Sequence, residues 1–96
     1  MKQYVIIAHD GADSEAPERR SAARPLHLEG ARTLKENGNY VTGGAILDDG
    51  GAMRGSVMIV QFEDDEAMKA WLANDPYVTQ GVWKSIEVKP FRVAEV

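Results

Sequence analysis

The stretch "GSVMIVQFEDDEAMKAWLANDPY", residues 55–77, changes its period halfway along. Val57, Met58, Ile59 and Val60 are apolar at consecutive positions. A strand built from them presents apolar side chains to both sides of its sheet. Four acids follow Phe62, and then Ala67, Met68, Trp71 and Leu72 recur at the three-and-four spacing of a helix face. Asp64 reads as the helix cap, and Asp65 and Glu66 suit the positive end of the helix dipole. Asp75 and Pro76 end the helix, because the residue before a proline avoids helical geometry.

The first half of the chain repeats this order. "QYVIIAH", residues 3–9, points Tyr4, Ile6 and Ala8 one way and Val5 and Ile7 the other, so it too is apolar on both sides. A helical region follows, with Asp13 and Ser14 as candidate caps, Pro17 in the first turn and Asn37–Gly38 as the stop. Pro25 lacks the N–H that would bond back to residue 21, which predicts either one bent helix or a short helix running into a longer one. "NYVTGGAIL", residues 39–47, reads as a strand loosened by two glycines, and "DDGG", residues 48–51, as a turn. "WKSIEVKPFRV", residues 83–93, reads as a last strand with Ile86 and Val88 on one face and charges on the other.

The order β-α-β-β-α-β predicts an α+β, ferredoxin-like fold: an antiparallel four-stranded sheet with two helices on one face. The first and third strands carry the two-sided apolar runs that its central positions require. Two helices cover one face only. The apolar residues on the other face predict a second copy of the chain there, in a back-to-back homodimer.

With 96 residues the chain is expected to form a single domain, residues 1–96. It has no cysteine, which removes disulfides, thiolate nucleophiles and cysteine-ligated metals and suits a reducing cytoplasm. The apolar run near the N-terminus is too short for a secretory leader, and no run reaches the ~20 residues of a membrane span. A net charge of −4 with scattered basic residues argues against nucleic acid as a partner. There is no His-x-His or His-x-x-x-His spacing, so no metal is expected, and "DDGG" lacks the distal glutamate of a calcium loop. No cofactor motif is present either, since "GGAILDDGG" has no strand-to-helix context for phosphate.

Arg20, Arg24, His27, Ala31 and Leu34 share one helical face that starts basic and ends apolar. His27 is open to two readings: a partly buried histidine bonded to the backbone, or a general acid/base, since imidazole titrates near neutral pH. Arg20 and Arg24 suit a carboxylate or enolate ligand, or else salt bridges to Glu15, Glu18 or Asp10. A catalytic histidine needs a group on its other ring nitrogen. Asp75 is the candidate, because both helices lie on one face; alternatively Asp75 only shapes the helix exit. Trp71 and Trp83 read as core or interface, and His9 as a strand-end residue.

"ERRSAARPLHL", Gly44, "GSVMIVQFED", "ANDPYVTQGV" and "IEVKPF" together resemble the YciI-like, or YCII-related, family in order and spacing over nearly the whole chain. The resemblance implies a ferredoxin-like subunit of a dimeric α+β barrel and a pocket with a His–Asp dyad, which here is His27 and Asp75. It implies pocket positions for Arg24, Gly44, Ser56 and Tyr77. Gly44–Ala45 stands where many members have Gly-Pro, and the following hairpin loop is short.

The leading expectation is a small-molecule enzyme in which His27 transfers a proton, Asp75 holds its tautomer, and Arg24 with Arg20 holds an anionic group. A dyad without a nucleophile suits elimination, isomerisation or tautomerisation. The resemblance implies a lyase-type activity, with dehydrochlorination of a chlorinated hydroxyquinone in one branch. The alternatives are a non-catalytic metabolite-binding or protein-interaction module, and a haem protein with His27 as axial ligand.

Overall fold

The computed structural model describes residues 1–96. The chain runs β1 (Lys2–Asp10), α1 (Ala16–Glu36), β2 (Tyr40–Leu47), β3 (Met53–Phe62), α2 (Asp65–Asn74), α3 (Pro76–Thr79) and β4 (Trp83–Phe91). The strands form one antiparallel sheet in the order β2-β3-β1-β4, with the two doubly apolar strands in its centre. The fold is ferredoxin-like, with the helices on one face.

Register sorts the side chains. Tyr4 pairs with Val60, Ile6 with Met58 and Ala8 with Ser56, and all six are buried beneath the helices. Val5 pairs with Ile59 and Ile7 with Val57 on the opposite face, where they are only half-buried. Ile86 and Val88 pair with Ala8 and Ile6 on the helix side, while Glu87 and Lys89 flank the open face. Ile6 and Val60 are fully enclosed, each contributing about 1.5–3 kcal/mol by leaving water.

The helix ends differ in part from the sequence-based expectations. α1 begins at Ala16 with Glu15 at the cap position and no side-chain cap bond. Asp13 instead grips the Arg19 guanidinium with both carboxylate oxygens, at 2.8 and 2.7 Å. α1 continues through Pro25 without a break. Ser21 and Pro25 are both exposed, so the carbonyl that loses its donor lies on the side of the helix that water reaches. At the far end Gly38 adopts φ +77°, and Asn39 N–H bonds back to the Leu34 carbonyl, the pattern of a glycine-terminated helix.

Asp64 caps α2 through the Ala67 N–H, as expected. Met68 is buried and Trp71 and Leu72 pack on the core, but Ala67 is exposed, which narrows the predicted apolar face. The chain after α2 is not a plain exit: Asp75 caps a further helical turn, α3, with Pro76 at its start. The 48–51 turn is held by the Asp48 carboxylate, which accepts from Gly50 and Ala52 N–H groups and from Arg54.

Candidate functional site

α1 carries Arg20, Arg24 and His27 on successive turns, and α3 lies against it. Arg20 is 6% exposed and His27 8%, while Arg24 is open to solvent. His27 is in line with buried Ala23 and Leu34, so the helix face that packs the core also delivers the imidazole to the sheet.

His27 Nδ1 lies 3.1 and 3.0 Å from the two carboxylate oxygens of Asp75. Asp75 is 5% exposed, and the same carboxylate accepts the Tyr77 N–H at 2.9 Å. A carboxylate only accepts, so in the neutral imidazole the hydrogen is assigned to Nδ1 and the lone pair to Nε2. The Tyr77 ring stacks on the imidazole at 3.9 Å between centroids and 13° between planes, and Trp83 meets it edge-on at 5.8 Å. These contacts oppose rotation of the imidazole. Asp75 therefore both caps α3 and contacts the His27 ring.

A second polar chain adjoins the first. Arg20 donates Nη1 to both oxygens of Asp10, at 3.0 and 3.1 Å, and Nη2 to Ser56 Oγ at 2.9 Å. Trp83 Nε1 donates to that same Oγ at 3.2 Å. The guanidinium carbon lies 4.7 Å from the centre of the Tyr77 ring. Burial pushes the Tyr77 phenol above its ordinary range, a shift that the charges of Arg20 and Arg24 oppose.

Between α1 and the β2–β3 half of the sheet is a cavity of about 130 Å³. Its walls include Arg20, Arg24, His27, Gly44, Ser56 and Tyr77, so the structure brings six of the seven residues singled out from sequence to one space. Asp75, the seventh, is not on the wall and lies behind His27. Leu28, Tyr40 and Met58 add the apolar part. The volume is close to the ~150 Å³ of a cavity that accepts benzene, which suits a single ring or a short carbon chain.

The two arginines differ. Asp10 and Ser56 already engage Arg20, matching the Asp10 salt bridge that was one sequence alternative. Arg24 takes part in none of the ion pairs and is the free cation of the cavity. His9 is exposed at the end of β1, away from these walls. No three histidine, aspartate or glutamate side chains converge as a metal-ligand set. No helix is long and apolar enough to cross a membrane.

Sequence reasoning missed two contributors. Tyr40 gave no signal beyond its place at a strand start. Trp83 belongs to the core, as expected, but its indole N–H is part of the polar chain.

Comparison with known proteins gives the family and the fold. The model of the YCII-related domain matches residues 2–92. Protein YciI of Escherichia coli O6:H1 is 42% identical over 95 residues, covering 93% of this chain and 95% of that protein. Among solved structures, 5-chloro-2-hydroxyhydroquinone dehydrochlorinase from Burkholderia phenoliruptrix, in complex with 2,5-dihydroxybenzoquinone, is similar with a TM-score of 0.82. Its identity is 23%, with 96% of this chain and 95% of that one covered. A dimeric ferredoxin-like protein of unknown function from Jannaschia is similar at a TM-score of 0.58 and 12% identity, over 97% of this chain and all of that one. By the domain match and the identity to YciI, the chain belongs to the YCII-related family.

Proposed function

We propose that the cavity binds a small anionic, phenolic or enolic molecule and that His27 moves a proton on it, in an elimination, isomerisation or tautomerisation. The observation that carries this reading is the contact of His27 Nδ1 with both oxygens of Asp75, at 3.1 and 3.0 Å, on the wall of a cavity of ring size. With Nδ1 held, Nε2 is the nitrogen left to take a proton, and Asp75 stabilises the imidazolium that results. Arg24, unpaired at the same cavity, holds the anionic group of the ligand. The similar dehydrochlorinase acts on a hydroxylated ring, which supports the choice of ligand class.

The test is a thermal-shift screen of small carboxylates, enols, phenols and hydroxyquinones against wild type and His27→Ala, followed by turnover assays on the hits. A ligand whose shift and turnover both disappear in His27→Ala supports the proposal. Ligands that bind both proteins alike, with no turnover, would sink it.

One observation favours a second reading. Asp75 caps α3 while holding His27 on α1, so the pair also fastens two helices. A binding module without chemistry would keep that fastening. It predicts that His27→Ala lowers affinity or melting temperature with no turnover to lose. A haem fits poorly, because a cavity of about 130 Å³ has room for one ring and not for a porphyrin.

The proposal includes a homodimer through the open sheet face, where Val5, Ile7, Val57 and Ile59 form a half-buried apolar patch that no helix covers. Light scattering should give twice the subunit mass of 10.5 kDa, and Ile59→Glu should halve it.

A further inference from the structure

Ser56 sits on β3, opposite Ala8 of β1, and is 3% exposed. Its Oγ receives two hydrogen bonds, from Arg20 Nη2 at 2.9 Å and from Trp83 Nε1 at 3.2 Å. Both partners are donors only: a guanidinium and an indole N–H have nothing to accept with. A serine hydroxyl has two lone pairs and one hydrogen. Here both lone pairs are engaged, the hydrogen remains, and Oγ donates a hydrogen bond to no group of the chain. Ser56 also lines the cavity that holds His27. The direction left for the hydrogen is into that cavity.

We infer that Ser56 is a fixed hydrogen-bond donor to the ligand, and that the ligand presents an acceptor oxygen, a carbonyl or an enolate, at that point. Arg20 and Trp83 draw charge from Oγ, which strengthens the O–H as a donor. Asp10 balances the Arg20 charge and locks the guanidinium in place, so the donor is pre-set before the ligand arrives. Because Oγ has no lone pair free, an amine or other donor at that point of the ligand is rejected, as it would have no partner there. This deepens the proton-transfer reading and rests on it: with His27 at one wall and a carbonyl-oxygen donor at another, the chemistry is proton movement next to a carbonyl, with the Ser56 hydroxyl on the oxygen where charge gathers.

Neutron diffraction on the deuterated protein tests the donor directly. Ser56 deuterium directed into the cavity is the expected result; deuterium on a backbone carbonyl overturns the inference, whatever His27 does. Titration with 2,5-dihydroxybenzoquinone, which offers ring acceptor oxygens, and with 1,4-diaminobenzene, which offers donors, tests the selectivity. Ser56→Ala is expected to lose about tenfold in affinity for the quinone and to leave binding of the diamine unchanged. Ser56→Thr keeps a hydroxyl, controls for folding, and should recover the quinone affinity. His27→Ala should retain the preference for the quinone, because Ser56 is still present. A quinone affinity equal in wild type and folded Ser56→Ala overturns the role of Ser56, and loss of turnover in His27→Ala alone leaves it standing.

Discussion

Arg20 and Asp10 form an ion pair at 3.0 Å with 7% and 3% of their side chains exposed, between the end of β1 and the second turn of α1. Removing one partner of a buried pair leaves a charge without compensation, which typically costs about 3–5 kcal/mol. Asp10→Ala is therefore expected to destabilise the fold strongly, because it strands a guanidinium that also lacks a partner at Nε. Replacing both residues by apolar ones of similar volume should be milder. Urea denaturation of the two single variants and the double variant measures the difference. Equal losses for Asp10→Ala and the double variant would refute the account.

Asp75 has two tasks that substitution separates. Asp75→Ala loses the α3 cap, worth about 0.5–2 kcal/mol, and the His27 contact together. Asp75→Asn keeps an oxygen that can accept the Tyr77 N–H, so its melting temperature should stay closer to wild type. It no longer supplies a carboxylate to His27, so any turnover found in the cavity should fall at least tenfold in both variants. Melting curves and rates measured side by side check this.

At alkaline pH the tyrosines decide the slope. The Tyr4 phenol is pushed up to about 12, first by its hydrogen bond to Asp65, then by burial and by the Asp65 and Asp64 charges. Tyr77 is raised by burial. A phenol whose folded value lies above its unfolded 10.0 favours the fold fully below pH 10. Between 10 and the folded value the unfolded chain releases the proton first, and that contribution is lost as pH rises. The tyrosine contribution to stability should thus be flat below pH 10 and fall above it. Tyr4→Phe should reduce the slope, which denaturation across that range, followed with tyrosinate absorbance, will reveal.

The fold was largely legible because its signals are local. The two-sided apolar runs of β1 and β3 demand central positions, and Asp64 with its following acids announces α2. The site was legible where one helix face carries it, as with Arg20, Arg24 and His27. What escaped depends on distances the sequence does not encode locally. A single turn such as α3 is too short for periodicity, although Asp75–Pro76 is a cap followed by the proline that suits a first turn. Pro25 read as a possible break because nothing local shows that Ser21 and Pro25 face water. Asp13 looked like a cap, but Arg19 offered it two charged donors, which outbid the backbone N–H groups. The Ser56–Trp83 bond joins residues on strands that do not pair with each other, and only the folded sheet brings them together.

Two glycines of the central and edge strands should respond in opposite ways to the same substitution. A Cβ on Gly55 would run into the Ala8 carbonyl oxygen and crowd Ile46 and the His9 backbone, so β1 and β3 must separate to admit it. A Cβ on Gly44 would meet nothing within 4 Å. Gly55→Ala is expected to lower the melting temperature by several degrees, in the range of overpacking losses of about 1–3 kcal/mol. Gly44→Ala should leave an isolated subunit unharmed, and alanine even restricts the unfolded chain slightly. Gly44 pairs with Val57, which places it on the open sheet face as well as beside the cavity. A Gly44→Ala protein that keeps its secondary structure but changes its mass in solution would locate the effect between copies. One that unfolds like Gly55→Ala would show that the space beside Gly44 is not open within the subunit.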